Sequence, residues 1–246
     1  MSTTVAWVSG SAVDVSDVDE LEAMLRGGPV AAILPRADTR EGRQLRRWLV
    51  QVLVAERLVA GEAGARGLDA VGAPTVEALA PDRAALLGLG SVAADLLTRS
   101  ALARAVFVAV TAEVRVDAAE VARFYRDNPE RYRVPEERVV HPLRTLRRGE
   151  LTGPVEDAVF AARPGEVVGP IDSALGTHTF EVVEVRPAHT RPLAEAAPSI
   201  EAHLLAAARR RAFTAWLDTH AAARVRLAPG FEHPGDPRQP DNTHRH

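Results

Sequence analysis

The sequence predicts an α+β protein: a mainly helical body into which a small antiparallel sheet is inserted. Two long stretches, residues 41–65 and 193–223, carry apolar residues at helical spacing. Between them, residues 138–186 hold short β-branched runs broken by proline and glycine, the pattern of short strands and tight turns.

Composition bounds the reading. With 246 residues and 46% hydrophobic content the chain can bury a sizeable core and fits one large or two modest domains. A formal net charge of -3 gives no basic field for nucleic acid, and no apolar run approaches the length of a membrane-crossing helix. Cysteine is absent, which excludes disulfides, thiolate nucleophiles and zinc-thiolate sites; lysine is absent as well, which excludes Schiff-base chemistry. No cofactor or metal is expected. The first residues lack the basic start and apolar core of a secretory signal, so a cytoplasmic protein is expected.

The elements follow in order. Val5 to Val8 is apolar and β-prone, Ser9-Gly10-Ser11 reverses the chain, and Ala12-Val13 completes a small hairpin or extended arm. Ser16 and Asp17 offer a cap to a helix with Val18, Leu21, Met24 and Leu25 on one side, ended by Gly27-Gly28-Pro29. Asp38 or Thr39 caps the helix of residues 41–65, whose stripe is Leu45, Trp48, Leu49, Val52, Leu53, Leu58 and Val59, and Gly67 stops it. Residues 72–90 are loop-rich around a short helical piece. A helix is expected over residues 91–106, and residues 107–116 are either strand-like or helical at first before unwinding.

Asp117 caps a helix ending at Asn128-Pro129, and a strand over residues 138–146 bears His141, with Pro142 forced to an edge or bulge. Pro154 starts a helix to Ala162. Arg163-Pro164-Gly165 then turns into paired strands over 167–171 and 177–186. The helix of residues 193–223 has Ile200, Leu204, Leu205, Ala208, Phe213, Trp216 and Leu217 on a broadly apolar face expected to pack on the amino-terminal helices. Residues from Pro229 on are proline-rich and polar and are expected to form a disordered tail.

The run Gly149-Glu150-Leu151, Val155, Ala158, Phe160, Pro164-Gly165-Glu166, Gly169-Pro170, Gly176, His178 and Val182 resembles the closing half of a parvulin-type peptidyl-prolyl isomerase domain. Such a domain normally places two or three helices and a strand between its first histidine-bearing strand and the Gly-x-Leu segment, whereas His141 and Gly149 are eight positions apart here. The middle of the domain is missing. The resemblance implies a division into a helical chaperone-like region (1–134), a truncated parvulin-like domain (135–190), a carboxy-terminal helix returning to the amino-terminal region (191–227) and a tail (228–246).

Prolyl isomerisation breaks no bond; a dry, shape-matched pocket lowers the amide rotation barrier of about 20 kcal/mol. The resemblance implies two facing histidines, here His141 and His178, as catalytic residues. It implies Leu151, Val155 and Phe160 as substrate-binding residues, with valine giving a shallower pocket than the family's phenylalanine. No counterpart of the family's cysteine or aspartate is present. Read from the residues alone, the histidines are also consistent with a hydrogen-bonded pair retained in the core, and the three apolar residues with an ordinary packing stripe.

The expected function is that of a parvulin-like isomerase or foldase homologue acting on proline-containing peptides or unfolded protein, with reduced or lost turnover. A non-catalytic chaperone or partner-binding module is the alternative, and an accessory protein of specialised metabolism a third. Nucleic acid and membrane are not expected partners, and monomer and homodimer both stay open. Tail histidines His233, His244 and His246 read as solvated, Gly88-Leu89-Gly90-Ser91 as a helix-start loop, and Arg209-Arg210-Arg211 as a solvated face.

Overall fold

The computed structural model describes residues 3–142, 144–151, 153–173 and 176–233. The fold is α+β. Its chain divides into two compact units, one made of the residues up to Arg115 together with those from Leu205 onward, the other of Val116–Leu204.

In the first unit, strands β1 (Thr4–Val8) and β2 (Ser11–Asp14) form the expected hairpin, Gly10 taking the left-handed conformation of its turn. A third strand, β9 (Val225–Leu227), pairs antiparallel with β1, a partner the sequence did not announce. Helix α1 (Val15–Arg26) begins earlier than its expected Ser16/Asp17 cap: Asp14 is the cap, and Asp17 reaches back to accept from its backbone N–H at 3.1 Å. Helix α2 (Arg40–Arg66) is capped by Thr39, whose hydroxyl accepts from Gly42 N at 3.1 Å, and it ends at Gly67 in the left-handed conformation.

Short helices α3 (Val76–Leu79) and α4 (Arg83–Leu87) occupy the loop-rich stretch. The helix expected over residues 91–106 is in fact two, α5 (Ser91–Arg99) and α6 (Ala101–Val110), because Ser100 leaves helical geometry and its hydroxyl caps Ala103 N at 3.1 Å. The strand-like alternative for residues 107–116 is not realised. Phe107 is instead buried on α6 with its ring 5.1 Å from that of Phe213, so tertiary packing overrides β propensity.

Two clusters make the core of this unit. Val5, Val13, Val18, Leu49, Val52 and Leu53 join the small sheet to α1 and α2. Val59, Leu96, Leu97, Val106 and Phe213 join α2, α5 and α6 to helix α9 (Leu193–Arg224), whose residues from Leu205 belong here. Each such side chain contributes about 1.5–3 kcal/mol on burial. The expected tail is ordered at its start: Arg47 Nε donates to Gly230 O at 2.9 Å and Phe231 packs on the sheet cluster. The rest of that tail, residues 234–246, lies outside the described residues.

In the second unit, Asp117 and Glu120 cap α7 (Ala118–Asp127) reciprocally, at 2.7 and 3.2 Å. Val121, Tyr132, Ala196 and Ile200 form one cluster between α7 and the first part of α9. A two-stranded ribbon pairs β3 (Arg133–Val134) with β8 (His189–Thr190). The single strand expected over residues 138–146 is a hairpin, β4 (Glu137–His141) and β5 (Arg144–Arg147), because the chain turns at Pro142. With β6 (Val167–Ser173) and β7 (Gly176–Arg186) these form a four-stranded antiparallel sheet of order β5-β4-β7-β6. Helix α8 (Pro154–Ala161) covers one face, with Val140, Leu146, Val155, Val159, Phe160 and Val182 as its core.

Candidate functional site

The expected site residues lie in this sheet, in its helix and in the turn before that helix, and strand parity decides where the two histidines can act. Residues opposed in an antiparallel register share a face, and neighbours along a strand alternate. Val140 opposes Val182, and both are fully buried under α8, so they mark the inner face. His141, the next residue, therefore belongs to the outer face, where it opposes Glu181 and is exposed.

His178 takes the other side. Along β7 it alternates in step with Phe180 and Val182, and in the register with β6 it opposes Ile171, which packs into the same inner cluster. Its ring stacks on that of Phe180 with centroids 6.0 Å apart and planes 4° from parallel. His141 and His178 thus stand on opposite faces of one sheet and are not brought together.

Leu151, Val155 and Phe160 are brought together, with Val155 8% and Phe160 5% exposed, in the cluster beneath the inner face. Leu151 is positioned by Glu156, which sits in the first turn of α8 and accepts from Gly149 N and Leu151 N at 3.0 Å each. That carboxylate ties the preceding turn to a helix whose own cap, Gly153, has no side chain. Gly169 is fitted as closely: its φ is +122°, and a Cβ there would come within 2.5 Å of His178 O.

Beside Phe160 lies a charged group that sequence reasoning missed. Arg138, on the inner face of β4 and 5% exposed, donates from Nη2 to Phe160 O at 2.7 Å and holds its guanidinium 5.1 Å from the Phe160 ring centroid. Arg148 lies 4.6 Å from the same centroid. Glu136 bridges the two arginines, at 2.6 Å to Arg138 and 2.8 Å to Arg148. Burial pushes the Glu136 carboxyl up, but hydrogen bonds from Arg148 and Arg138 outweigh it and hold it below the usual carboxylate range. The signal was the i, i+2 spacing that sets Arg138 on the side of Val140; the same count assigns Phe180 to the face of His178.

Chemically, the inner face offers one imidazole, one aromatic ring beside it and an apolar floor. A single imidazole with aromatic and aliphatic neighbours can hold a peptide by stacking and one hydrogen bond. Among the described residues no group of three metal-ligating side chains is assembled.

Comparison with known proteins agrees with the resemblance read from the sequence. Residues 144–198 match the model of the PPIC-type PPIASE domain, a span that contains His178, Leu151, Val155 and Phe160 but begins after His141. Residues 4–41 match a family of unknown function (DUF7158). No curated protein matches the chain. Two solved structures are similar at low level, both described under the virulence factor PEB4 and the periplasmic protein Cj1289, SurA-like chaperones of Campylobacter jejuni. One is 17% identical, covering 90% of this chain and 96% of its own, with a TM-score of 0.40. The other is 10% identical, covering 92% and 99%, also with a TM-score of 0.40. On the matched span and the residues that carry it, the segment 144–198 is of the parvulin type.

Proposed function

We propose that this protein is a parvulin-like foldase homologue that binds proline-containing peptides or unfolded protein at the inner face of its shortened domain and has lost isomerase turnover. The observation that carries the reading is the β4–β7 register: His141 opposes Glu181 on the outer face while His178 lies on the inner one. A mechanism that grips the prolyl amide between two imidazoles has only one available. Phe160, expected as a substrate-binding residue, is 5% exposed and has two guanidinium groups over its ring. What is left is a stacking and apolar surface around His178, Phe180, Ile171 and Leu151.

Lowering a rotation barrier of about 20 kcal/mol requires a closed, desolvated pocket, whereas holding a flexible chain requires only apolar area and a few hydrogen-bond partners. The test pairs two assays on the full chain. Cis-to-trans exchange of a prolyl tetrapeptide should match the uncatalysed rate, while aggregation of a chemically denatured client should be suppressed and the suppression weakened by Phe180→Ala. Acceleration of the exchange that disappears in the His141→Ala/His178→Ala double variant would restore the two-histidine reading and sink this one.

No helix among the described residues is long and apolar enough to cross a membrane.

A further inference from the structure

The first unit holds a cleft of about 440 Å³ among α2, the start of α5 and the later turns of α9, within the size range of small-ligand sites. Its floor is aliphatic: Val54 and Leu58 from α2, Leu89 before α5, Val92 in its first turn, and Leu217 from α9. Four polar uncharged or acidic side chains line the cleft as well: Thr214, Asp218, Ser91 and Gln51, whose amide nitrogen is buried without a hydrogen-bond partner among the described residues. Thr214 and Asp218 are one helical turn apart on α9, and Ser91 opens α5. The Thr214 hydroxyl gives its proton to Arg211 O at 3.0 Å, and the Ser91 hydroxyl accepts from Trp48 Nε1 at 3.0 Å. Both oxygens keep acceptor capacity for a ligand.

In this unit Asp17, Asp19, Glu22, Glu56, Glu62 and Asp95 are each paired with an arginine, while exposed carboxylates such as Glu20 and Glu41 are not. Asp218 forms no ion pair among the described residues, and no arginine lines the cleft. The other titratable side chain there is His233.

We propose that this cleft binds the free amino terminus of a short apolar peptide. An ammonium group has three N–H donors and no acceptor, which matches one carboxylate and two hydroxyl oxygens, while aliphatic side chains of the first two residues cover the floor. Gly90 caps α5 without a side chain, so first-turn amides are left to meet the peptide's carbonyl oxygens. This site is separate from the inner face of the parvulin-type segment.

Calorimetric titration of the full chain with the dipeptide Leu-Leu tests it, with N-acetyl-Leu-Leu as the analogue lacking the ammonium. Asp218 is exposed, so Asp218→Asn should leave the fold intact, which a melting curve checks. The expected result is binding of Leu-Leu that weakens by about tenfold or more on acetylation, and equally in Asp218→Asn, as for loss of a charge-assisted hydrogen bond. Val92→Trp, which fills the cleft from its floor, should abolish binding. Equal affinity for both peptides, binding indifferent to Asp218→Asn, or no binding of Leu-Leu would each overturn the proposal.

Discussion

His141 opposes Glu181 across β4 and β7 on the outer face of the sheet, one residue away from the buried pair Val140 and Val182. That single step along a strand separates it from His178, whose ring lies against Phe180 on the inner face. The two imidazoles therefore meet different surroundings, and their removal should have different consequences.

His141→Ala, at an exposed strand end, should change stability by no more than about 0.5 kcal/mol. His178→Ala removes a ring stack and should cost about 0.5–1.5 kcal/mol. Urea denaturation of both variants checks the order; a larger loss for His141→Ala would contradict the assigned faces.

Gly169→Ala should be more damaging than either. The added methyl would stand 2.5 Å from His178 O and 2.9 Å from Thr179 Cα, in a backbone conformation L residues rarely adopt. Strain of this kind costs about 1–3 kcal/mol before any clash is counted. Amide exchange should show β6 and β7 opening first, with the first unit unaffected.

Gly42→Ala should act the same way in the first unit. A Cβ there runs into the carbonyl of Arg36, which lies in the turn leading to α2. The turn or the start of α2 must shift, and a melting temperature unchanged from wild type would mean that this close approach does not persist in solution.

Glu136 sets an acid limit on the second unit. Its folded-state pKa lies below its ordinary value because Arg148 and Arg138 donate to its ionised form, against burial, which opposes ionisation. A group depressed in this sense stabilises the fold fully above its unfolded value of about 4.3, and the contribution is lost as pH falls through the lower folded value. Glu136→Gln should therefore be less stable than wild type at pH 7 and converge on it in acid. Near neutrality the loss should be about 1–3 kcal/mol, since Arg138 is left buried with a weaker set of partners. Melting curves between pH 2 and pH 7 measure both the difference and its disappearance.

Much of this architecture was legible because it is written in local spacing. The cap at Thr39, the left-handed stop at Gly67, the Asp117–Glu120 capping pair and the proline at the start of α8 are all decided within four residues. The Gly-Pro and Gly-x-His punctuation that resembles the parvulin type is equally local, since Gly169 and Gly176 take positive φ at the bulge of β6 and the start of β7. What spacing could not supply was a partner. Phe107 reads as either strand or helix until Phe213 receives its ring, residues 225–227 carry no strand signal until β1 pairs with them, and Ser100 breaks a helix that propensity alone would continue.

The site shows the same division. That a histidine-bearing strand, a Gly-x-Leu turn and a closing strand belong to one small sheet was determined by the order of residues in the chain. Which side of that sheet each histidine faces was decided only in three dimensions, by the register of β4 on β7 and the irregularity between Val139 and Val140. The reason is the two-residue period of a strand: alternation ranks neighbours as opposite but does not say which set is inside, and a bulge resets the count. Only the side chains packed against the sheet, here those of α8, turn parity into an inside and an outside.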